Sequence, residues 1–244
     1  MKLTVLGNNG PFPCAGGACS GYLITEGQTN VLIDCGNGVL SNLQKVIPIS
    51  DISLIILTHL HSDHISDMMV LRYAVKIKNK REGTNKIIDV YAPPQPEEEY
   101  KRLNIKDAFK LNPISEESVI KQGPFKFTFK QMTHPVMDLA VCVNNGSKKF
   151  VFSGDTSFNE KIIDFSKNSD LLMLDAGFLN KDKTQPNVPH LTAGECGKIA
   201  KEACAKRLLL THFWPENDVS VIKEEAKEYY PAVECAKILK TYKI

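Results

Sequence analysis

Three of the six histidines of this chain lie within residues 58–64, whose sequence is THLHSDH. Residues 52–57 are short, apolar and rich in β-branched side chains, which predicts a buried strand. After the cluster, Ile65, Met68 and Tyr73 recur at helical spacing. The cluster therefore lies between the end of a core strand and the start of a helix, where binding and catalytic groups are often placed.

The composition excludes several classes of protein. A chain of 244 residues with 43% hydrophobic and 24% charged residues can bury a sizeable core without disulfides. The net charge of +2 provides no general field for nucleic acid, although it does not exclude a local basic patch. The seven cysteines form no C-x-x-C pair, and neither a signal peptide nor a membrane span is recognisable. We therefore expect free thiols, a cytoplasmic location and no membrane partner.

The hydrophobic pattern mixes strands and helices in both halves of the chain. In the first half we predict strands at 2–6, 22–25, 31–33, 52–57 and 87–91, helices at 39–46 and from 65 onwards, and a short helix from 97. Strands at 119–120, 125–130, 140–143 and 150–152 follow, then helices at 159–166, 193–205 and 219–229 with strands at 171–174 and 207–210. We favour a strand for the tail, 238–244, and treat 7–17 and the rest of 92–113 as loops that contact the substrate. No linker is evident, so we predict a single domain over residues 1–244 with two similar halves.

The remaining histidines are His134, His190 and His212. His134, His212 and Asp155 each follow a predicted strand, as His59 does, and the carboxyl ends of strands gather along one edge of a layered fold. A single histidine in such a place is usually only hydrogen-bonded, but so many together favour a metal site. His190 precedes a predicted helix, where it either orients that helix or serves the site.

The H-x-H-x-D-H motif, followed by His134, Asp155 and His212 in that order, resembles the metallo-β-lactamase superfamily over nearly the whole chain. The resemblance implies an α+β fold, a four-layer αββα sandwich of two pseudo-symmetric halves, with the metal site at one edge. It also implies two metal positions, for which seven side chains are the ligands: His59, His61 and His134 for the first, Asp63, His64 and His212 for the second, and Asp155 as the bridge. Imidazole and carboxylate ligands suit Zn²⁺, with Mn²⁺ or Fe²⁺ as alternatives.

The resemblance favours hydrolysis over redox chemistry, because the flavin-linked diiron branch of the superfamily carries Glu in place of His61. Asp63 is then expected to position the attacking water as well as to bind metal. The segments PHLTA at 189–193 and LLLTHF at 208–213 are similar to the ribonuclease Z and phosphodiesterase branch, in which the residue matching His190 assists at the phosphate. Only residues 135–154 separate His134 from Asp155, which leaves no room for the long tRNA-gripping arm of short ribonuclease Z enzymes.

The leading hypothesis is therefore a dinuclear phosphodiesterase for a small or modest substrate, such as a cyclic nucleotide. Alternatives are a thioester or lactone hydrolase of the glyoxalase II or lactonase type, a tRNA 3′ endonuclease, and a non-catalytic binding module, which the complete ligand set disfavours. Long nucleic acid as a partner stays open, as does a homodimer through the apolar residues of the helix that contains Met68 and Tyr73. We interpret Asp67 as a polar helix-start residue rather than a partner of a ligand histidine.

Overall fold

A computed structural model describes residues 1–185 and 188–244. Its strands form two seven-stranded sheets. The strands of the first sheet are β1 Lys2–Gly7, β2 Gly21–Glu26, β3 Thr29–Ile33, β4 Leu54–Ile56, β5 Ile88–Ala92, β6 Phe109–Pro113 and β14 Thr241–Lys243. The strands of the second sheet are β7 Val119–Gln122, β8 Phe125–Gln131, β9 Leu139–Asn144, β10 Lys149–Phe152, β11 Leu171–Asp175, β12 Leu208–Thr211 and β13 Val233–Cys235.

The two sheets have matching topologies. The first has the order β14-β1-β2-β3-β4-β5-β6 and the second, written from its other end, β7-β8-β9-β10-β11-β12-β13. In each order the first four strands pair antiparallel, and from the fourth strand (β3 or β10) onwards the pairing is parallel. The parallel strands β4, β11 and β12 are buried along their whole length, as expected for strands covered on both faces.

Helices cover the outer face of each sheet, so the molecule is a four-layer αββα sandwich, as predicted. Beside the first sheet lie α1 Val39–Leu43, α2 Ser62–Ile65, α3 Met68–Glu82 and α4 Glu97–Leu103, and beside the second α5 Glu160–Ser166, α6 Ala193–Glu202 and α7 Val219–Lys227. Alternation along β3 shows the layering, because Val31 and Ile33 join the core between the sheets while Leu32 packs against α1 and α3.

Several predicted elements have different limits in the structure. The strand predicted at 52–57 is only Leu54–Ile56, and the helix predicted at 39–46 ends at Leu43. The prediction of a loop through 92–113 was wrong where β6 lies, and β13 was missed. Both are edge strands with partly exposed side chains, so their hydrophobic pattern is weak. The tail is a strand only at Thr241–Lys243.

Residues 135–154 form a short hairpin, in line with the expectation that no tRNA-gripping arm fits between His134 and Asp155. These residues contain β9 and β10, joined by a tight turn in which Asn145 Oδ1 accepts from the main-chain N–H groups of Ser147 and Lys148 at 3.1 and 2.8 Å. The strand ends that precede His59, His134, Asp155 and His212 lie at one edge of the sandwich, where the sequence placed the site.

Candidate metal centre

The first cluster consists of His59, His61 and His134. The loop after β4 carries His59 and His61, and the loop after β8 carries His134. His61 Nδ1 lies 3.1 Å from His59 Nε2 and 3.1 Å from His134 Nε2. For metal–nitrogen bonds of about 2.0–2.1 Å, tetrahedral ligands are roughly 3.4 Å apart, so these three nitrogens have the spacing of ligands to a single ion.

The second cluster consists of Asp63, His64, Asp155 and His212. Their ligating atoms lie within 4.8 Å of one another. His212 Nε2 is 3.2 Å from Asp63 Oδ2 and 3.2 Å from Asp155 Oδ2, and His64 Nε2 is 3.3 Å from the same oxygen of Asp155. The group is almost completely enclosed by protein.

Asp155 connects the two clusters. Its Oδ2 also lies 3.7 Å from His59 Nε2 of the first cluster. A single carboxylate oxygen is therefore within ligand-to-ligand distance of imidazoles on both sides, which is the geometry that a bridging ligand requires.

Carboxylates and a carbonyl hold the remote nitrogens of the ligand histidines. His59 Nδ1 donates to Asp138 Oδ2 at 2.7 Å, and His64 Nδ1 donates to Asp34 Oδ2 at 2.8 Å. His134 Nδ1 donates to the Pro189 carbonyl at 3.0 Å. These contacts place the N–H on Nδ1 and direct Nε2 into the site, as is usual for metal-binding histidines.

Burial keeps the first cluster neutral. It lowers the pKa of His59 to about 3, that of His134 to about 4 and that of His61 below its usual value. Neutral imidazole is the form that binds metal. The Nδ1–H groups of His59 and His134 are already donated to Asp138 and to the Pro189 carbonyl, so the Nε2 atoms of both rings carry no proton. These two Nε2 atoms and His61 Nδ1 therefore converge with at most one proton among them, and a cation stabilises such an arrangement.

In the second cluster, carboxylates and imidazoles shift one another's pKa values in opposite directions. Burial alone would raise the pKa of Asp63, but His64 and His212 outweigh it and lower that pKa to about 2. Burial would likewise lower the pKa of His64 and of His212, but Asp155 and its neighbouring carboxylates raise both values. Two buried carboxylates need positive charge beside them, which protons on His64 and His212, or a metal ion bound between the four side chains, can supply.

The donor set therefore fits divalent metal ions. Within the described residues, His64 Nε2 and Asp155 Oδ1 are buried without a hydrogen-bond partner, and both belong to the second cluster. Imidazole nitrogens and carboxylate oxygens at these spacings are the ligands of zinc and related ions.

His190 lies beside the clusters, on the segment before α6. A capping box fixes the start of this helix, because Thr192 Oγ1 accepts from Glu195 N and Glu195 Oε2 accepts from Thr192 N. His190 Nδ1 donates to Asp175 Oδ2 at 2.8 Å, and its ring stacks on His212 with centroids 4.9 Å apart. Burial alone would lower the pKa of His190, but Asp175 outweighs it and raises the pKa.

A pocket of about 380 Å³ opens onto the site. It is lined by Pro11, His61, Ser62, Asp63, His134, Pro135, Asp155, Pro189 and His190. Gly10, beside the pocket, packs so closely on the site that a Cβ there would lie 1.9 Å from His212 Nε2. The pocket gives a substrate direct access to His190 and to both clusters.

The structure brings all eight predicted site residues together: His59, His61, Asp63, His64, His134, Asp155, His190 and His212. Sequence reasoning missed the roles of Asp34, Asp138 and Asp175 as hydrogen-bond partners of the histidines. Asp34 directly follows an apolar strand and Asp175 ends one, so strand position could have identified both. Asp138 lies in a loop, where the sequence offers no such signal.

Asp67 directly precedes α3, as its interpretation as a helix-start residue required. Its carboxylate, however, accepts from Leu40 N in the first turn of α1 at 2.9 Å, so it caps a neighbouring helix rather than its own.

The fold and the two clusters together define a metallo-hydrolase. The chain belongs to the β-lactamase superfamily, since the family model described as "Beta-lactamase superfamily domain" matches residues 29–213. It is similar to the probable metallo-hydrolase YhfI of Bacillus subtilis, with 34% identity over 94% of each chain. The crystal structure of YhfI matches with a TM-score of 0.92 over 99% of this chain and 98% of that one, at 33% identity.

Two more distant solved structures share the fold. Human short-form tRNase Z matches with a TM-score of 0.79 at 21% identity over 100% of this chain and 99% of that one. A diphosphatase of the PhnP family matches with a TM-score of 0.74 at 21% identity over 100% and 97% of the two chains. In the part of the chain that the structure describes, no helix is long and apolar enough to cross a membrane.

Proposed function

We propose that this protein is a phosphodiesterase that uses two divalent metal ions, Zn²⁺ first among them, and acts on a small or modest phosphodiester. The observation that carries the proposal is His190, held at Nδ1 by Asp175 at 2.8 Å on the rim of the metal pocket. This contact directs Nε2 towards the pocket, where it can donate a proton to a leaving oxygen.

The seven ligands would divide as the two clusters do. His59, His61 and His134 would hold the first ion, and Asp63, His64 and His212 the second, with Asp155 between them. When bound, such ions lower the pKa of water and polarise a phosphoryl group.

The chain's own residues would then orient the reactants. Asp63, whose pKa is about 2, stays ionised and accepts a hydrogen bond from the attacking water, which aligns that water with phosphorus. Water adds to phosphorus and releases a proton to solvent, the bond to the leaving oxygen breaks with its electron pair, and His190 Nε2 supplies that oxygen with a proton. Asp175 remains a carboxylate throughout and holds the ring, and His190 regains its proton from solvent.

The restriction to small substrates is supported by the hairpin of β9 and β10, which occupies the place where an arm for tRNA would emerge. The fold likeness to a tRNase Z and a diphosphatase agrees with chemistry at phosphate. All seven cysteines are free, which supports our expectation of a reducing cytoplasm.

Substitution of His190 by Ala tests the proposal. We expect the metal-loaded variant to lose roughly 10²- to 10⁴-fold in kcat on a cyclic nucleotide, whose alkoxide leaving group needs a proton. The loss on bis-p-nitrophenyl phosphate should be much smaller, since p-nitrophenolate leaves without one. Metal content and melting temperature of both proteins serve as controls.

Two results would overturn the proposal. One is a metal-loaded protein that is inert to every phosphodiester yet hydrolyses thioesters, lactones or carboxylic esters. The other is activity confined to tRNA precursors, which would also be expected to depend steeply on salt.

A further inference from the structure

Three aromatic side chains lie beside the metal pocket but take no part in the proposed chemistry. Phe12 and Trp214 form an edge-to-face pair with ring centroids 5.3 Å apart, and Phe12 is 42% exposed. Phe178 packs edge-to-face on the His190 ring with centroids 5.5 Å apart. Exposed and half-buried aromatic rings next to a catalytic histidine offer contact surface for a substrate.

Two of these rings, Phe178 and Trp214, line a second hollow of about 210 Å³ together with Gly177, Asp182 and Asn217. Two ring contacts connect it to the metal pocket. Phe178 lines the hollow and contacts His190, which lines the metal pocket. Phe12 contacts Trp214 of the hollow and directly follows Pro11 of the metal pocket.

The backbone holds these elements rigidly in place. Gly10 N donates to the Phe213 carbonyl at 3.1 Å and Phe213 N donates to the Asn8 carbonyl at 2.8 Å, so the segments carrying Phe12 and Trp214 are tied together. Phe178 N donates to the Leu191 carbonyl at 3.2 Å. A preformed aromatic surface of this kind loses little conformational freedom on binding.

Polar groups complete the hollow. The carboxylate of Asp182 accepts a hydrogen bond from Leu179 N. Asn217 contributes a side-chain amide, which has two N–H donors and a carbonyl acceptor. The indole N–H of Trp214 donates to Glu216 at 3.4 Å, which helps to orient the ring. Aromatic faces with hydrogen-bonding groups at their edge match a flat heterocycle better than an alkyl chain.

We propose that Phe12, Trp214 and Phe178 form a binding site for a nucleobase, so that the substrate is a nucleotide whose phosphodiester lies in the metal pocket. This inference rests on the proposed function and names its substrate class. Base stacking on aromatic side chains is sequence-tolerant, and loss of one such ring weakens binding by roughly 5- to 150-fold.

Because Trp214 is the chain's single tryptophan, its fluorescence reports on the site directly. We expect adenosine 5′-monophosphate to quench the emission of the metal-loaded protein at concentrations where ribose 5-phosphate has no effect. Phe12→Leu keeps an apolar side chain but removes the ring, and should weaken the nucleotide titration by at least 5-fold. Tyr73→Ala removes an exposed aromatic ring on α3 and is the matched control, for which we expect no change.

Kinetics supply a second readout. The p-nitrophenyl ester of thymidine 5′-monophosphate and methyl p-nitrophenyl phosphate share a leaving group and differ in the nucleoside. Trp214→Leu and Phe12→Leu should lower kcat/KM for the first ester by roughly 5- to 150-fold, mainly through KM, and leave the second unchanged.

The outcomes separate the two proposals. Nucleotide-dependent quenching without hydrolysis of any phosphodiester would support the base site and contradict the proposed function. Hydrolysis of both esters with equal kcat/KM, and equal effects of both variants on them, would overturn the base site alone. Tighter binding of a hexyl phosphate than of adenosine 5′-monophosphate would also overturn it, in favour of an alkyl-binding surface.

Discussion

Asp138 gives the sharpest test of how the site is held. Asp138 and His59 are both fully buried, and Asp138 Oδ2 accepts from His59 Nδ1 at 2.7 Å and from Asp155 N at 3.0 Å. Both hydrogen bonds end on a single oxygen. An Asn at position 138 can therefore keep both acceptor contacts with its carbonyl oxygen, while it loses the negative charge and places its NH₂ where Oδ1 is buried without a partner.

The loss of charge makes His59 a weaker ligand. Substitution of carboxylates that hold metal-binding histidines lowers metal affinity by roughly 10- to 100-fold, or about 1.4–2.7 kcal/mol. Because the geometry is retained, we expect Asp138→Asn to lower metal affinity by about 10-fold, the lower end of this range, and to do so at the first cluster. Asp138→Ala also leaves Asp155 N without its acceptor and should lower metal affinity by about 100-fold.

Asp34 is the matched comparison, because it uses both oxygens. Oδ1 accepts from Thr58 N at 2.8 Å, and Oδ2 accepts from the Thr58 hydroxyl at 2.9 Å and from His64 Nδ1 at 2.8 Å. In either orientation an Asn at this position directs an NH₂ group at a donor. Asp34→Asn should therefore lower metal affinity more than Asp138→Asn does, and the loss should occur at the second cluster.

The assay is competition for zinc against a chelator of known affinity, with bound metal per chain measured after gel filtration. Asp138→Asn should lose the first ion and keep the second, and Asp34→Asn should do the reverse. Unchanged affinity in both variants, or a larger loss in Asp138→Asn than in Asp34→Asn, would refute the reasoning.

Three further predictions concern stability. A chelator should lower the melting temperature by roughly 5–10 °C, because an ion present at 100 times its Kd contributes about 2.7 kcal/mol; equal melting curves would contradict a metal site. Burial would raise the pKa of Asp170. Hydrogen bonds from the Lys206 side chain and the Lys149 main-chain N–H outweigh burial and lower the pKa to about 2. Asp170→Asn should therefore cost about 1 kcal/mol in urea unfolding above pH 4, after allowance for solvent screening, and the cost should vanish as the pH falls towards 2. Gly36→Ala places a Cβ 1.9 Å from the Asp63 carbonyl and should lower the free energy of unfolding by about 1–3 kcal/mol, whereas Gly27→Ala meets no atom within 4 Å and costs only the strain of its φ of +58°.

The side chains of the two clusters were predictable because they are rare in the chain and crowded in its sequence. Six histidines occur in the chain, and the structure brings all of them to the site. The carboxylates behind them were harder to find, since the chain has 28 acidic residues, most of them solvated. Asp175 ends the apolar strand LLMLD, and a fully buried acid in that position requires a partner, so burial together with strand position was the available signal.

The fold was predictable where side chains alternate or are apolar throughout, and not at the edge strands β6 and β13. Strand β6 has the sequence FKLNP and only Phe109 is buried, so nothing in its composition distinguishes it from a loop. It forms because β5 offers unpaired hydrogen-bonding groups, with Ile88 to Ala92 aligned against Phe109 to Pro113. Pairing of this kind is a tertiary effect that local patterns do not encode.

The candidate metal centre depends on contacts between the two sheets. His59 follows a strand of the first sheet but donates to Asp138, which precedes β9 of the second, and His212 after β12 meets Asp63 on α2. The Thr58 carbonyl accepts from Leu139 N at 3.0 Å across the same boundary. Each proposed ion therefore takes ligands from both sheets, and neither sheet with its helices holds a complete set. Because binding requires both, metal stabilises the docking of the two sheets as well as the local loops, and its loss should weaken the whole sandwich rather than one edge.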